Sequence, residues 1–207
     1  MATPLEKARK DPNSMKAKIL KVARRIFGEY GFHGTTTRMI AHEVGIDIST
    51  LYYHWGEKGD LYEAVLQDIN EDLRQRLAEV EKVIHGLPLA RRMEISFDMM
   101  TEYFFERPEI SNLTLFTYFG KTRQEAGLVF YAPELLSDIA RSMGLCKDTK
   151  NVPKSALMQV LAMMNAIHAF ISGEDVFRPM LKLGRDEYLA RVNETLKFIL
   201  IPAFAGN

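Results

Sequence analysis

Residues 36–58 have the sequence TTRMIAHEVGIDISTLYYHWGEK, which predicts two short helices joined by a tight turn. Ala41 is small enough to let a second helix cross closely. Gly45, four residues later, suits the left-handed conformation that ends a helix. Leu51, six residues further on, would hold the second helix against a core. This spacing is typical of the helix-turn-helix, a motif whose second helix enters the major groove of DNA.

The two ends of this motif carry residues suited to helix capping. Thr36 is expected to cap the first helix and Asp47 the second, which would run over about residues 48–55. Since the first turns of such a helix face the base edges, the candidates for base contact are Ile48, Ser49, Thr50 and Tyr53. Helix starts carry free backbone N–H groups that favour a phosphate, so the candidates for phosphate contact are Thr36, Thr37, Arg38 and, at the next helix, Lys58.

Composition favours a soluble globular protein of one or two domains, with 207 residues, 47% hydrophobic and 26% charged. The net charge is zero, yet residues 1–31 carry five more positive than negative side chains. This basic end indicates either a polyanionic partner or a solvated tail. Cys146 is the single cysteine, which excludes an internal disulfide and favours a cytoplasmic location. An incidental thiol is the favoured interpretation of Cys146, with a redox sensor as the alternative.

Apolar periodicity predicts an all-α fold of about nine helices in two domains, residues 13–60 and 61–207. Residues 1–12 are expected to form a mobile arm, and residues 157–171 a buried helix rather than a membrane span. The expected helices cover residues 13–31, 36–45, 48–55, 58–84, a segment ending at 107, 108–116, 128–143, 153–172 and 186–204, with a polar loop at 120–127.

The stretch resembles the DNA-binding domain of the tetracycline-repressor (TetR) family of bacterial transcriptional regulators. The resemblance spans about residues 19–66. The matching residues, in the order and spacing of the family, are Gly31-Phe32, Thr36, Ile40-Ala41, Gly45, Leu51-Tyr52-Tyr53-His54-Trp55 and Lys58. Trp55 stands where phenylalanine is usual, a change that a packing position tolerates.

The resemblance implies a ligand-responsive repressor that binds a palindromic operator as a homodimer. It places Tyr52 and His54 near the sugar-phosphate backbone, and the dimer contact on the last two long helices. Candidates for that contact are Ala156, Met163, Ala166, Phe170, Val192 and Leu196. It also implies a pocket for a small apolar or amphipathic effector, although a stripe of Met and Phe at helical spacing is more often core than pocket. The candidate lining residues are Phe97, Met100, Tyr103, Phe104, Phe116, Phe119, Met164 and His168.

Two other classes of function compete with this interpretation. A helical protein-interaction module could carry a helix-turn-helix that no longer reads DNA. An all-α enzyme is disfavoured because the chain has no Glu-x-x-His or Gly-x-Ser-x-Gly motif, and Leu115 stands where a phosphate-binding loop requires its first glycine. We therefore expect no enzyme activity, no cofactor and no metal. The operator, the effector and the sign of regulation are left open.

Overall fold

A computed structural model describes residues 2–119 and 132–205, which form eleven helices and no strand. The helices are α1 (Pro4–Lys10), α2 (Met15–Gly34), α3 (Thr37–Val44), α4 (Ile48–Trp55), α5 (Lys58–Ile84), α6 (Leu89–Glu106), α7 (Pro108–Phe119), α8 (Ala132–Ser142), α9 (Lys154–Ser172), α10 (Glu174–Met180) and α11 (Arg185–Ala205). The predicted all-α class is confirmed, and α1 and α10 are the helices that periodicity missed. The predicted loop at residues 120–127 and the start of the predicted helix 128–143 lie outside the described residues.

The described residues divide into two compact units. The first comprises residues 2–72 and 112–119, and the second comprises residues 73–111 and 132–205. The division falls after Asp72, inside α5, and after Ser111, inside α7. The domain boundary expected near residue 60 lies earlier along the same long helix.

The core of the first unit is built on α2, with α3, α4 and the first half of α5 around it. Ile19, Phe27, Ile40 and Leu51 are fully buried, so the predicted role of Leu51 in packing α4 is confirmed. Trp55 is buried too, and its indole N–H donates to the backbone oxygen of Lys16 over 3.2 Å. This indole bond ties the end of α4 to the start of α2.

Gly31 interrupts α2 with a backbone conformation of φ 67° and ψ 180°, which side-chain-bearing residues rarely adopt. The hydroxyl of Thr35 donates to the carbonyl oxygen of Gly31 over 2.7 Å and stabilises this turn. The Phe116 ring lies 3.7 Å from the position that a Cβ atom on Gly31 would take. The helix therefore breaks where the sequence predicted its end.

The prediction of a mobile N-terminal arm is wrong, because part of that arm is the helix α1. Thr3 and Glu6 form a capping box at its start. Arg9 bonds the carboxylate of Asp68 at 2.5 Å and that of Asp72 at 3.2 Å, holding α1 to α5. Together these bonds and the burial of Ala8 offset the entropy of ordering the segment.

Part of the basic excess at the N-terminus is neutralised within the first unit. Besides Arg9, Arg24 bonds Asp68 at 2.7 Å and Asp72 at 2.5 Å, and these carboxylates raise the pKa of the Arg24 guanidinium. Arg25 pairs with Glu43. The charge of residues 1–31 is therefore a weaker indication of a polyanionic partner than its count suggests.

In the second unit, α6 packs against α11 and α9, and α8 packs against α9. Residues 157–171 lie in the helix α9, as predicted, but only about a third of its apolar stretch is buried in the chain. By length and composition α9 would also pass as a membrane span. Its uncovered apolar surface leaves room for a partner that the single chain does not supply.

Candidate nucleic-acid interface and ligand cavity

The turn between α3 and α4 has the geometry that its sequence predicts. The Thr36 hydroxyl caps α3 by accepting from the N–H of Met39 over 3.2 Å. Gly45 adopts a left-handed conformation, φ 78° and ψ 37°, and its N–H donates to Ala41 over 3.0 Å. Asp47 caps α4 by accepting from the N–H of Thr50 over 2.7 Å. The exposed face of α4 is thus held by short-range bonds at both sides of the turn.

That face presents hydroxyl and phenol groups to solvent. Tyr53 is 85% exposed and Tyr52 is 41% exposed. Ser49 is also exposed, and Ile48 and Thr50 are half-buried. These five candidates for DNA contact on α4 therefore keep surface for a ligand, and His54, the sixth, is half-buried.

The hydroxyls of Ser49 and Thr50 are oriented by one carboxylate. Both donate to Asp47, over 2.5 Å and 3.1 Å respectively. These bonds, the Ser49 bond first, hold the pKa of Asp47 below its usual value. Because each hydroxyl proton is engaged, the oxygens are left as acceptors, which in the major groove match the amino groups of adenine and cytosine.

The candidates for phosphate contact differ in how far the fold already uses them. Arg38 is exposed and makes no ion pair with the described residues, and Thr37 is half-buried at the start of α3. Lys58, by contrast, donates to the carbonyl oxygens of Phe32 and Thr35 over 2.9 Å and 3.0 Å. An ammonium group has three protons, so one proton of Lys58 is left for a phosphate.

His54 lies half-buried at the end of α4, beside a cation. The Lys16 ammonium donates to the carbonyl oxygen of His54 over 2.6 Å. Burial, and then the charge of Lys16, lower the pKa of the His54 imidazole. His54 is therefore a neutral ring near neutral pH, and any bond it makes to a phosphate is not an ion pair.

The second unit encloses a cavity of about 470 Å³ between α5, α6, α8 and α9, a volume typical of small-molecule sites. Five of the residues predicted as lining are there. They are Phe97, Met100, Phe104, Met164 and His168. Met93, Met143 and Met163 add to a wall rich in flexible, polarisable side chains.

The other three predicted lining residues are not placed in this wall. Tyr103 is buried, but its ring packs against Phe104 and under the guanidinium of Arg107, 4.7 Å from the ring centre. Phe116 belongs to the first unit, against Gly31, because α7 changes units before that residue. The side chain of Phe119 lies outside the described part of the chain.

His168 is the buried polar residue of the cavity wall. Its Nδ1 lies 2.9 Å from the Ser111 hydroxyl, and its ring meets that of Phe104 edge to face at 5.0 Å. Burial lowers the pKa of His168 to about 4. The imidazole is therefore uncharged at neutral pH, as an apolar wall requires.

The charged end of the cavity was missed from sequence. Arg92 of α6 donates to the Ser142 hydroxyl over 3.0 Å, and that hydroxyl donates to Glu81 of α5 over 2.7 Å. The spacing of Leu77, Glu81 and Ile84 along α5 could have shown one shared face. Nothing in the sequence shows which residues of α8 meet that face.

The last two long helices each expose large apolar side chain surface. Met158 on α9 is 65% exposed, and on α11 Phe198 is 81% exposed beside an exposed Ile199. Three of the residues predicted for a contact between chains, Ala156, Val192 and Leu196, are instead buried within the chain. Each of the three lies on the side of its helix that packs against the rest of the chain.

The fold and the α3–α4 turn define the chain as an all-α helix-turn-helix protein. Residues 19–65 match the model of the family described as bacterial regulatory proteins, tetR family. Residues 19–65 therefore form a DNA-binding domain similar to that of this family, as the resemblance predicted.

A named relative is similar over part of the chain, and solved structures share the fold. The transcriptional repressor AcnR of Corynebacterium glutamicum is 26% identical over 104 residues, which cover 45% of this chain and 55% of that protein. The match thus spans about half the length of this curated relative. A TetR-family regulator of Bordetella parapertussis has the same fold, with a TM-score of 0.68, 15% identity, and coverage of 91% of this chain and 95% of the other. The regulator FadR of Bacillus subtilis, solved with stearoyl-CoA, has a TM-score of 0.56, 14% identity, and coverage of 89% and 96%.

Proposed function

We propose that the protein is a transcriptional regulator that binds a palindromic DNA operator as a homodimer and releases it when a ligand fills the cavity. The observation that carries this proposal is the capped helix α4, which presents Ser49 and Tyr53 to solvent within a domain of the tetR family. The relative AcnR is named as a repressor, and we infer repression here too.

On DNA, α4 would lie in the major groove and α3 would meet the backbone. Ser49, Thr50 and Tyr53 would contact base edges, with Ile48 against a thymine methyl group. The free N–H groups of Thr37 and Arg38, with the Arg38 side chain, would hold a phosphate. Base contacts would select the sequence, and phosphate contacts would position the protein.

The homodimer would form through the exposed apolar side chains of α9 and α11. Phe198 and Met158 are large apolar side chains that stay exposed in the single chain, and exposed apolar surface is typical of protein contacts. Phe198→Glu should shift the protein from dimer to monomer in sedimentation equilibrium. Val83→Glu is the matched control, because Val83 is also exposed, on α5, and should leave the dimer intact. A Phe198→Glu dimer of unchanged stability would contradict this interface.

The cavity would hold a small apolar or amphipathic effector. Its occupation would favour one arrangement of the dimer over another and so shift the population away from the DNA-binding state. Helix α5 contributes residues to both units, which makes it the element on which we expect the effect to travel. The same fold holds stearoyl-CoA in FadR of B. subtilis, which supports an amphipathic ligand.

Selection of bound sequences from random DNA duplexes, at stated salt, tests the DNA-binding part of the proposal. Salt must be stated because phosphate contacts make affinity depend on it. We expect a palindrome whose half-sites lie about one helical turn apart. If the folded dimer enriches no sequence, the proposal fails and a protein-interaction module becomes the better interpretation. We propose no catalytic role; turnover of a metabolite that depends on cavity residues would contradict that.

A further inference from the structure

The cavity of the second unit is elongated along α6. Seven residues of that helix line it, at steps of three and four, from Leu89 to Phe104. At 1.5 Å per residue this face is about 22 Å long. A volume of about 470 Å³ spread along such a face leaves a long, narrow space.

One end of this space is charged. Arg92, Glu81 and Ser142 meet there, with the Arg92 guanidinium 3.7 Å from the Glu81 carboxylate and bonded to the Ser142 hydroxyl. The Nε atom of Arg92 is buried and has no hydrogen-bond partner among the described residues. Since a buried N–H normally has a partner, this donor indicates a place for an acceptor.

Each of the other two arginines of the wall stands beside a carboxylate of its own. Arg74 pairs with Glu134 over 2.8 Å, and Arg141 stands 4.0 Å from Asp138. Of the side chains that line the cavity, three are arginines and two, Glu81 and Asp138, are acidic. Glu81 is about half exposed, so its carboxylate is able to turn to solvent when another anion takes its place beside Arg92.

The opposite end of the space is lined mainly by apolar and aromatic groups. Phe104 and His168 lie there, and His168 is buried and bonded to Ser111. Between the two ends the wall is apolar, with Met93, Phe97 and Met100 along α6. The polarity therefore differs between the end at Arg92 and Ser142 and the apolar face of α6 that leads away from it.

We propose that the cavity takes a straight-chain amphiphile with an anionic head group, its head bonded to Arg92 and Ser142 and its aliphatic chain along α6 toward Phe104. This inference rests on the proposed function and names the class of its effector. A carboxylate accepts two parallel N–H bonds from a guanidinium, and Arg92 offers Nε together with a terminal nitrogen. A cationic head in the same place would be repelled by the Arg92 guanidinium and could accept no bond from its Nε–H.

Calorimetric titration of the full-length protein tests the head group. The probes are a straight-chain carboxylate, the primary alcohol and the alkyltrimethylammonium salt of equal chain length, each below its micelle concentration. We expect the carboxylate to bind at least about tenfold more tightly than the alcohol, because a hydrogen bond to a charged group is worth roughly 1.5–3 kcal/mol. The ammonium salt should bind most weakly.

A pair of neighbouring variants isolates Arg92. Arg92→Met should lower the affinity for the carboxylate to that of the alcohol and leave the affinity for the alcohol unchanged. Arg91→Met is the control, because Arg91 is exposed, bonds Glu94 over 2.6 Å and is not part of the cavity wall. It should keep the full preference for the carboxylate.

The outcomes separate this inference from the proposed function. Equal binding of the three probes, tighter binding of the ammonium salt, no binding of any probe, or an Arg92→Met protein that keeps its preference would each overturn the head-group assignment. An Arg92-dependent preference for the carboxylate would support it. Whether that carboxylate also releases operator DNA is measured separately, and failure there would count against the proposed regulation alone.

Discussion

The helix-turn-helix and the cavity differ in how far apart along the chain their residues lie. The turn from Thr36 to Trp55 is made by bonds between residues three or four positions apart, such as Asp47 to Thr50. The cavity is made by four helices, and its Arg92–Ser142 bond joins residues fifty positions apart. A surface built from such local bonds tolerates change in the rest of the chain. A cavity built from distant residues depends on how whole helices pack.

The largest expected effect comes from removing the core side chain of α4. Leu51 is fully buried, so Leu51→Ala should lower the free energy of unfolding of the first unit by about 2–5 kcal/mol. Tyr53→Ala, two residues away and exposed, should change it by no more than about 0.5 kcal/mol while lowering operator affinity at least about fivefold. Urea unfolding and DNA titration measure the two quantities. Equal loss of stability in both variants would contradict this division of roles.

The next effect concerns pH and the cavity. His168 has a pKa of about 4 when folded and an ordinary pKa of 6.5, so the unfolded chain binds more protons between these values. Stability should therefore fall as pH drops from about 6.5 to 4, by at most about 3 kcal/mol. His168→Gln, which keeps a polar partner for Ser111, should flatten this part of the profile of unfolding free energy against pH. If the profile of His168→Gln is unchanged, the loss of stability at low pH does not come from His168.

A somewhat smaller effect is expected at the break in α2. Gly31 has a positive φ of 67°, so Gly31→Ala should destabilise the first unit by roughly 1–3 kcal/mol through backbone strain. Space is not the cause, since the nearest atom to the added methyl group would be at an ordinary distance of 3.7 Å. The control is Gly86→Asn, at a positive φ of 77° with open space around it, because asparagine tolerates such a conformation better. We expect Gly31→Ala to lower the Tm more than Gly86→Asn does, and thermal unfolding of both variants measures this.

Filling the cavity should change ligand binding by the second unit without changing DNA binding by the first. Met164 lines the cavity and is half-buried, so Met164→Trp should occupy part of the space and weaken binding of the straight-chain carboxylate about tenfold. Operator affinity without ligand should not change, because α3 and α4 belong to the other unit. A fall in both affinities would show that this residue has a wider structural role.

The sequence predicted the helix-turn-helix nearly residue by residue, because capping and glycine preferences act over three or four positions. It predicted the cavity only in part. Helical spacing identified Phe97, Met100 and Phe104 on one face, but a face shows neither what covers it nor whether space remains. Phe116 was assigned to the cavity although α7 carries it to the first unit, and Val192 was assigned to a contact between chains although it is buried within one. Both errors arise because periodicity shows that a face is apolar, not what it packs against.

We propose that α4 reads bases while the start of α3 and the Arg38 side chain contact the backbone. Selection of bound duplexes by the wild-type protein, Ser49→Ala and Arg38→Ala, at one stated salt concentration, tests it directly. We predict that Ser49→Ala relaxes the preference at one symmetric pair of positions, whereas Arg38→Ala selects the same palindrome with weaker binding throughout. A Ser49→Ala protein that selects the wild-type palindrome with unchanged preferences, or an Arg38→Ala protein with an altered sequence preference, would contradict the account.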